Sequence, residues 1–206
     1  MNVSEALQSR ISCRAYLDKP VPEEHIREIL EKAKRAPSGG NLQPWHVYVM
    51  SGDKLQTFVS SVAEKVAANP KGEGSEYDIY PKGLSEPYKA RRSKCGEDMY
   101  AAIDVKRDDK IGRMMQFARN FELFGAPSAL FFSIDRQMGL GQWADLGMFL
   151  QSIMLVAREY DIPARRKPGL FGTKLSPNLS ICPMNRWSFA GWHWVIWIPA
   201  HLLITS

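Results

Sequence analysis

Apolar side chains recur along this chain at spacings that divide it into elements. In "VPEEHIREILEKAKRA", Ile26, Ile29, Leu30 and Ala33 fall at i, i+3, i+4 and i+7. With Pro22 near a first helical position and acids in the first turn, this predicts an amphipathic helix ending near Ala36. "WHVYVM" reads as a short buried strand. Asp53 suits the N-cap of a second helix with Leu55, Phe58, Val59 and Val62 on one face. Residues 69–92 are rich in glycine, proline and charge and read as a long excursion, of the length that usually serves function or covers something. "DDKIGRMMQFARNF" is predicted helical, with Ile111, Met114, Met115 and Ala118 facing inward, and "APSALFFSID" is a strand. "GQWADLGMFLQSIMLVAREY" is apolar around most of its circumference, which marks a central buried helix; Met138, Met148 and Met154 read as core packing. No internal repeat and no linker divide two cores, so the fold class is α+β in one domain.

Composition narrows the class. A chain of 206 residues, 45% hydrophobic and 24% charged, suffices for one core and is small for two. No run of 18 apolar residues exists, so no membrane span is expected; "MNVSEALQSR" lacks the apolar segment of a secretory signal. Cys13, Cys95 and Cys182, without CxxC spacing, fit a reducing cytoplasm and argue against a disulfide framework or zinc. His25, His46, His193 and His201 show no ligand spacing. The net charge of +5 points to nucleic acid until its position is considered. Of 27 basic residues, five follow Ile162, where there is no acid; the other 22 share the first 161 residues with all 22 acids. The body is neutral and presents no basic face for DNA or RNA.

Two polar clusters carry candidate chemistry. In "SRISCRAY", Arg10, Ser12 and Arg14 alternate. Residues two apart in an extended segment point the same way, so two guanidiniums and a hydroxyl converge as a phosphate requires. The plainer alternative is a solvated edge. In "APSGGNLQPW", Gly39 and Gly40 permit close backbone approach, and Asn41 and Gln43 each offer a donor and an acceptor for the mixed edge of a flat heterocycle. A C-capping glycine before a strand explains one glycine but not Ser38, Asn41 and Gln43 together. A third motif, "GLGQWA" from Gly139 to Ala144, fits the dinucleotide-binding pattern. However, four residues separate it from Ile134, where that fingerprint needs an immediate turn, and too little chain follows for a doubly wound sheet.

"RISCRAY", "APSGGNLQPW" and "GQWADLGMFLQSIMLVARE" together resemble the flavin-dependent nitroreductase family. "YPKGLSEPYKARRSKCGEDMY" and "MQFARNFELFGAP" are similar to its nitroaromatic-reducing branch, and the resemblance covers residues 5 to about 163. It implies a three-layer α/β/α fold with a central, mainly antiparallel sheet, in an interlocked homodimer with FMN at the subunit interface. It also implies that Arg10, Ser12 and Arg14 hold the phosphate, while Pro37, Ser38, Gly39, Asn41 and Gln43 line the isoalloxazine and ribityl chain. NAD(P)H is the implied electron donor, with hydride chemistry at flavin N5, a nitroaromatic or quinone-like acceptor, and ping-pong kinetics. No side chain is singled out as acid or base. Two rivals share the scaffold: a flavin-dependent dehalogenase or enone reductase, and a non-catalytic flavin-binding remnant.

The resemblance stops after "VAREYDIPA", which sets a family-like domain at 1–163 and an atypical tail at 164–206. Four of six tryptophans (187, 192, 194 and 197) lie in that tail. Tryptophan has one codon, so the bases of "WHWVIWI" are tightly constrained. Read from the last base of each codon, Trp192-His193-Trp194-Val195 forces Ala-Leu-Gly, Trp197-Ile198 forces Asp, and the stretch can read "MALGYMD". "RRKPGLFGTKLS" can likewise read "QEAWSLWHQTV", close to the family's C-terminal part. The expectation is a change of reading frame near Ala164 or Arg165, altering the C-terminal strand and extension. The run "GWHWVIWIPAHLLI" can still form an apolar strand, and where exposed it is an aggregation hazard.

Overall fold

The computed structural model describes residues 1–70 and 80–162, together with the backbone of 165–168, 186–187 and 194–197. Six α-helices are described: α1 (Val3–Ser9), α2 (Glu23–Ala33), α3 (Gly52–Ala68), α4 (Tyr88–Ala101), α5 (Lys110–Ala118) and α6 (Leu140–Val156). The strands are β1 (Trp45–Ser51), β2 (Ser128–Asp135), β3 (Arg165–Pro168), β4 (Arg186–Trp187) and β5 (Trp194–Trp197).

β2 is the axis of the molecule. It pairs antiparallel with β1, from Trp45 opposite Ile134 to Ser51 opposite Ser128, and on its other side with β5. β5 pairs with β3, and β4 meets β2 at Ile134 and Asp135. Every pairing among the described strands is antiparallel. Side chains on a strand alternate between faces, and here the alternation sorts two cores. Leu130, Phe132 and Ile134 pack with Ile26 and Ile29 of α2 and with Leu146, Phe149, Leu150 and Ile153 of α6. Ala129 and Phe131 pack on the opposite face with Leu55, Phe58 and Val62 of α3. The result is helix, sheet and helix in three layers, an α+β architecture. Each fully buried Leu, Ile or Phe contributes roughly 1.5–3 kcal/mol.

Several sequence expectations shift. α2 ends at Ala33 rather than Ala36, and Pro22 sits just outside it as the N-cap. Ser51, not Asp53, holds the N-cap position of α3, without a side-chain cap hydrogen bond, and Gly52 at φ +55° follows it as the helix's first residue. "WHVYVM" is only half-buried, since β1 is at the edge of the sheet and leaves Val49 exposed. The excursion closes earlier than expected: α4 starts at Tyr88, and residues 71–79 lie outside the described residues. Met148 is exposed rather than core, whereas Met154 is buried and Met138 packs against the first core.

The largest correction concerns α5. Its apolar face does not point inward: Ile111 is 68% exposed, Met114 65% and Met115 64%, and Ala118 is exposed as well. Neither α4 nor α5 buries a residue. The periodicity was a true amphipathic signal, but the described chain supplies nothing to cover that face. In the tail, "WHWVIWI" does carry a strand, β5. The side chains of residues 163–206, including Cys182 and the basic Arg165, Arg166 and Lys167, lie outside the described residues. Among the described residues no helix is long and apolar enough to cross a membrane.

Candidate active site

The first cluster begins where α1 ends. The Arg10 N–H donates to the Ala6 carbonyl, and the Arg10 backbone is already extended, with φ −70° and ψ 116°. Arg158, in the turn following α6, donates from Nε to Ser9 Oγ at 3.2 Å and so fixes the end of α1. Residues 10–14 form no strand, yet Cys13 is buried between an exposed Ser12 and a half-buried Arg14. Cys13 Sγ donates to the Ala15 carbonyl and the Tyr16 hydroxyl to the Cys13 carbonyl, both at 2.9 Å. The cysteine behaves as a small residue holding the segment's shape.

Arg14 is the informative residue of this cluster. Its Nη1 donates to the Ser12 carbonyl at 3.1 Å, whereas its Nε is buried with no acceptor. A buried donor left unsatisfied costs about 1–3 kcal/mol. Among the described residues, no carboxylate pairs with Arg10 or Arg14, and the Ser12 hydroxyl has no partner. Three groups of donors are therefore left open in five residues, and that chemistry suits a phosphate.

The second cluster is a strained loop. Gly39 and Gly40 lie well past the cap of α2 at Lys34, so the C-cap explanation of the glycines does not hold. After an extended Ser38, residues Gly39–Asn41 make one tight turn. Gly40 (φ +58°), Asn41 (φ +54°) and Gln43 (φ +47°) are all left-handed. Glycine adopts this at no cost and asparagine tolerates it, but for Gln43 it costs roughly 1–2 kcal/mol. Such strain persists where surrounding structure enforces it, and it gathers at functional sites. Here the enforcement is by hydrogen bonds. The Gln43 N–H donates to Ser38 Oγ at 2.9 Å, Gln43 Nε2 to Asn41 Oδ1 at 3.1 Å, and the Gly39 N–H to Asp145 Oδ2 at 3.2 Å. That pairing uses Gln43 Nε2 and Asn41 Oδ1 and leaves the Asn41 amide nitrogen as a donor and Gln43 Oε1 as an acceptor on an exposed loop. Pro37 is exposed at the loop entry, while buried Pro44 and Trp45, stacked on Phe149 at 4.4 Å, anchor its exit.

α6 supports the glycine turn and the helix that leads into the first cluster: α1 and Gly39–Asn41 each pack against it. No hydrogen bond joins the two clusters among the described residues. Asp145 was missed in the sequence, although the signal existed, because it is the only charged residue in α6. The Gly139 motif does not make a dinucleotide site. The Gly139 N–H is used by Gln142 Oε1 at 3.1 Å to cap α6, and the strand before it is antiparallel to its neighbours. A shallow depression along α3, lined by Asp53, Gln56, Thr57, Ser60, Ser61 and Glu64, is one helix's solvated face.

Residues 7–164 match the profile of the Nitroreductase family. The chain is 35% identical over 156 residues to the nitrobenzene nitroreductase of Ectopseudomonas oleovorans, covering 76% of this chain and 69% of that protein. It is 32% identical over 186 residues to the chloronitrobenzene nitroreductase of Comamonas testosteroni, covering 90% and 74% respectively. Among solved structures it resembles the FMN and NADPH-dependent nitroreductase NfnB of Sphigopyxis sp. strain HMH. That match has a TM-score of 0.90 and 39% identity, over 98% of this chain and 89% of the other. The chain belongs to the nitroreductase family.

Proposed function

We propose that this protein binds FMN and reduces nitroaromatic compounds at the expense of NAD(P)H, as a homodimer. The observation that carries the reading is the open donor set at Arg10, Ser12 and Arg14, with the buried, unpartnered Nε of Arg14 at its centre. These residues would hold the phosphate. Pro37, Ser38, Gly39, Asn41 and Gln43 would line the ring and ribityl chain, with Gly39 and Gly40 presenting backbone and the Asn41–Gln43 pair presenting one donor and one acceptor. The loop fits a cofactor that lies against it, since a Cβ on Gly40 would meet nothing within 4 Å. When bound, FMN supplies two-electron transfer between a nicotinamide and a nitro group. The protein's part is to bind, orient and shelter. One pocket used in turn by donor and acceptor gives ping-pong kinetics. The relatives named for nitrobenzene and chloronitrobenzene support the substrate class.

The flavin content of freshly purified protein tests the reading. Near one FMN per chain, with oxidation of NAD(P)H on adding nitrobenzene, is the expected result. The atypical composition after residue 162 favours a second reading, a flavin-binding remnant without turnover. It predicts flavin in the protein but no NAD(P)H oxidation even with FMN added. A folded protein that neither carries nor takes up FMN would sink both readings.

A further inference from the structure

Asp145, the acid beneath the glycine loop, carries an inference that rests on the FMN reading above. It is only 6% exposed, and burying a carboxylate is costly unless a partner compensates. Among the described residues that partner is one backbone N–H, that of Gly39, at 3.2 Å and 106 positions away in sequence. No Lys, Arg or His pairs with it among the described residues. A buried acid with so little compensation contributes little to stability, because an apolar residue would pack there without the desolvation cost. Its use lies in what it holds. Gly39 is the residue just before the left-handed run of Gly40, Asn41 and Gln43. The turn packs against α6, but not tightly around the glycines: a Cβ on Gly39 would sit 3.8 Å from Asp145 Oδ2, an ordinary contact, and one on Gly40 would touch nothing. The Trp45–Phe149 stack holds the loop's exit on α6, and this hydrogen bond ties its glycine turn to the same helix.

We propose that Asp145 is a positioning residue for flavin binding. By accepting from the Gly39 N–H it sets the loop whose Asn41 and Gln43 amides face the cofactor, and it works as an acceptor rather than as a charge. Asparagine offers the same acceptor in the same shape; alanine offers none.

The test uses cofactor-free full-length protein with Asp145 intact, Asp145→Asn and Asp145→Ala. FMN affinity is measured by quenching of flavin fluorescence, and exchange of the Gly39 amide by NMR before any cofactor is added. Asp145→Asn should bind FMN within about threefold of the parent and keep the Gly39 amide protected. Asp145→Ala should lose about tenfold or more in affinity, the scale of one hydrogen bond lost from a binding loop. Its Gly39 amide should exchange faster, while alanine's higher helix propensity preserves α6. Parent-like affinity in a folded Asp145→Ala overturns the proposal. So does an asparagine variant that loses about tenfold or more against the parent, and that arm stands even if the alanine chain does not fold. Failure of the FMN reading looks different: the parent protein itself would not quench flavin, although Gly39 exchange would still report the tie to Asp145.

Discussion

At the scale of the residue, the most telling atom in this chain is Nε of Arg14, buried and without an acceptor. A guanidinium carries five donors in a fixed fork, and here one of them is spent on the Ser12 carbonyl while the buried one is not. If a phosphate is the missing acceptor, Arg14→Ala should weaken FMN binding about 10- to 100-fold, as expected for hydrogen bonds to a charged group worth about 1.5–3 kcal/mol. It should cost little stability, because the substitution also removes an unsatisfied buried donor. Arg14→Lys should recover only part of the affinity, since a point charge does not replace the fork. Flavin titration and thermal melting of the cofactor-free protein measure the two effects separately. Unchanged flavin affinity in Arg14→Ala would remove Arg14 from the phosphate site.

At the scale of the element, α4 and α5 are joined by a polar contact through Arg113. Arg113 reaches both oxygens of Glu97, at 3.0 and 2.7 Å, donates from Nε to the Lys106 carbonyl at 3.1 Å, and lies 4.2 Å from the centre of the Tyr100 ring. Hydrogen bonds from Arg113 hold the Glu97 carboxyl below its ordinary value of 4.5. A depressed carboxylate stabilises the folded state fully above its ordinary value, and that contribution is lost as pH falls through the lowered one. Amide exchange in α4 and α5, corrected for its intrinsic pH dependence, should therefore report constant protection from neutral pH to about 5, then a loss in more acid solution. Glu97→Gln should speed exchange already at neutral pH and abolish the acid step. A variant that keeps both would show the joint to be idle. The sequence made α5 legible because Ile111, Met114 and Met115 recur at helical spacing, but one chain's periodicity does not say which surface covers it. The start of α4 was not legible: Lys89, Arg91, Arg92 and Lys94 give it no apolar stripe. The polar chemistry of residues 37–43 could be read from residue types. Its left-handed backbone could not, because nothing in the letter Gln announces φ +47° at Gln43. Asp145 was readable in principle, as a lone acid inside an apolar helix, where burial without function is expensive.

At the scale of the whole molecule, the two cores on either face of β2 are closed by α2, α6 and α3, and α4 and α5 take no part in either. Ile111, Met114, Met115 and Phe117 are each more than half exposed, and with Tyr88 and Ile103 they leave apolar surface on both helices and their junction. Surfaces of this kind are seldom left open in water and mark places where another protein sits. A second copy of the chain is the occupant under the homodimer proposed above, and methionine's flexible side chain adapts well to such a contact. In that arrangement the exposed face of α5 is interface core, and a charge placed there is buried without a partner. Met115→Glu should convert a dimer to monomer in light scattering at micromolar concentration, while the monomer's own cores leave its helical signal unchanged. Lys110→Glu, at the start of the same helix, is a matched control and should leave the dimer intact. If the flavin lies at the subunit interface, the Met115→Glu monomer should also lose FMN, although Arg14 and the glycine loop are untouched. A monomer that retains FMN would place the cofactor site within one chain, and a dimer that survives Met115→Glu would show that α5 faces something other than its own copy.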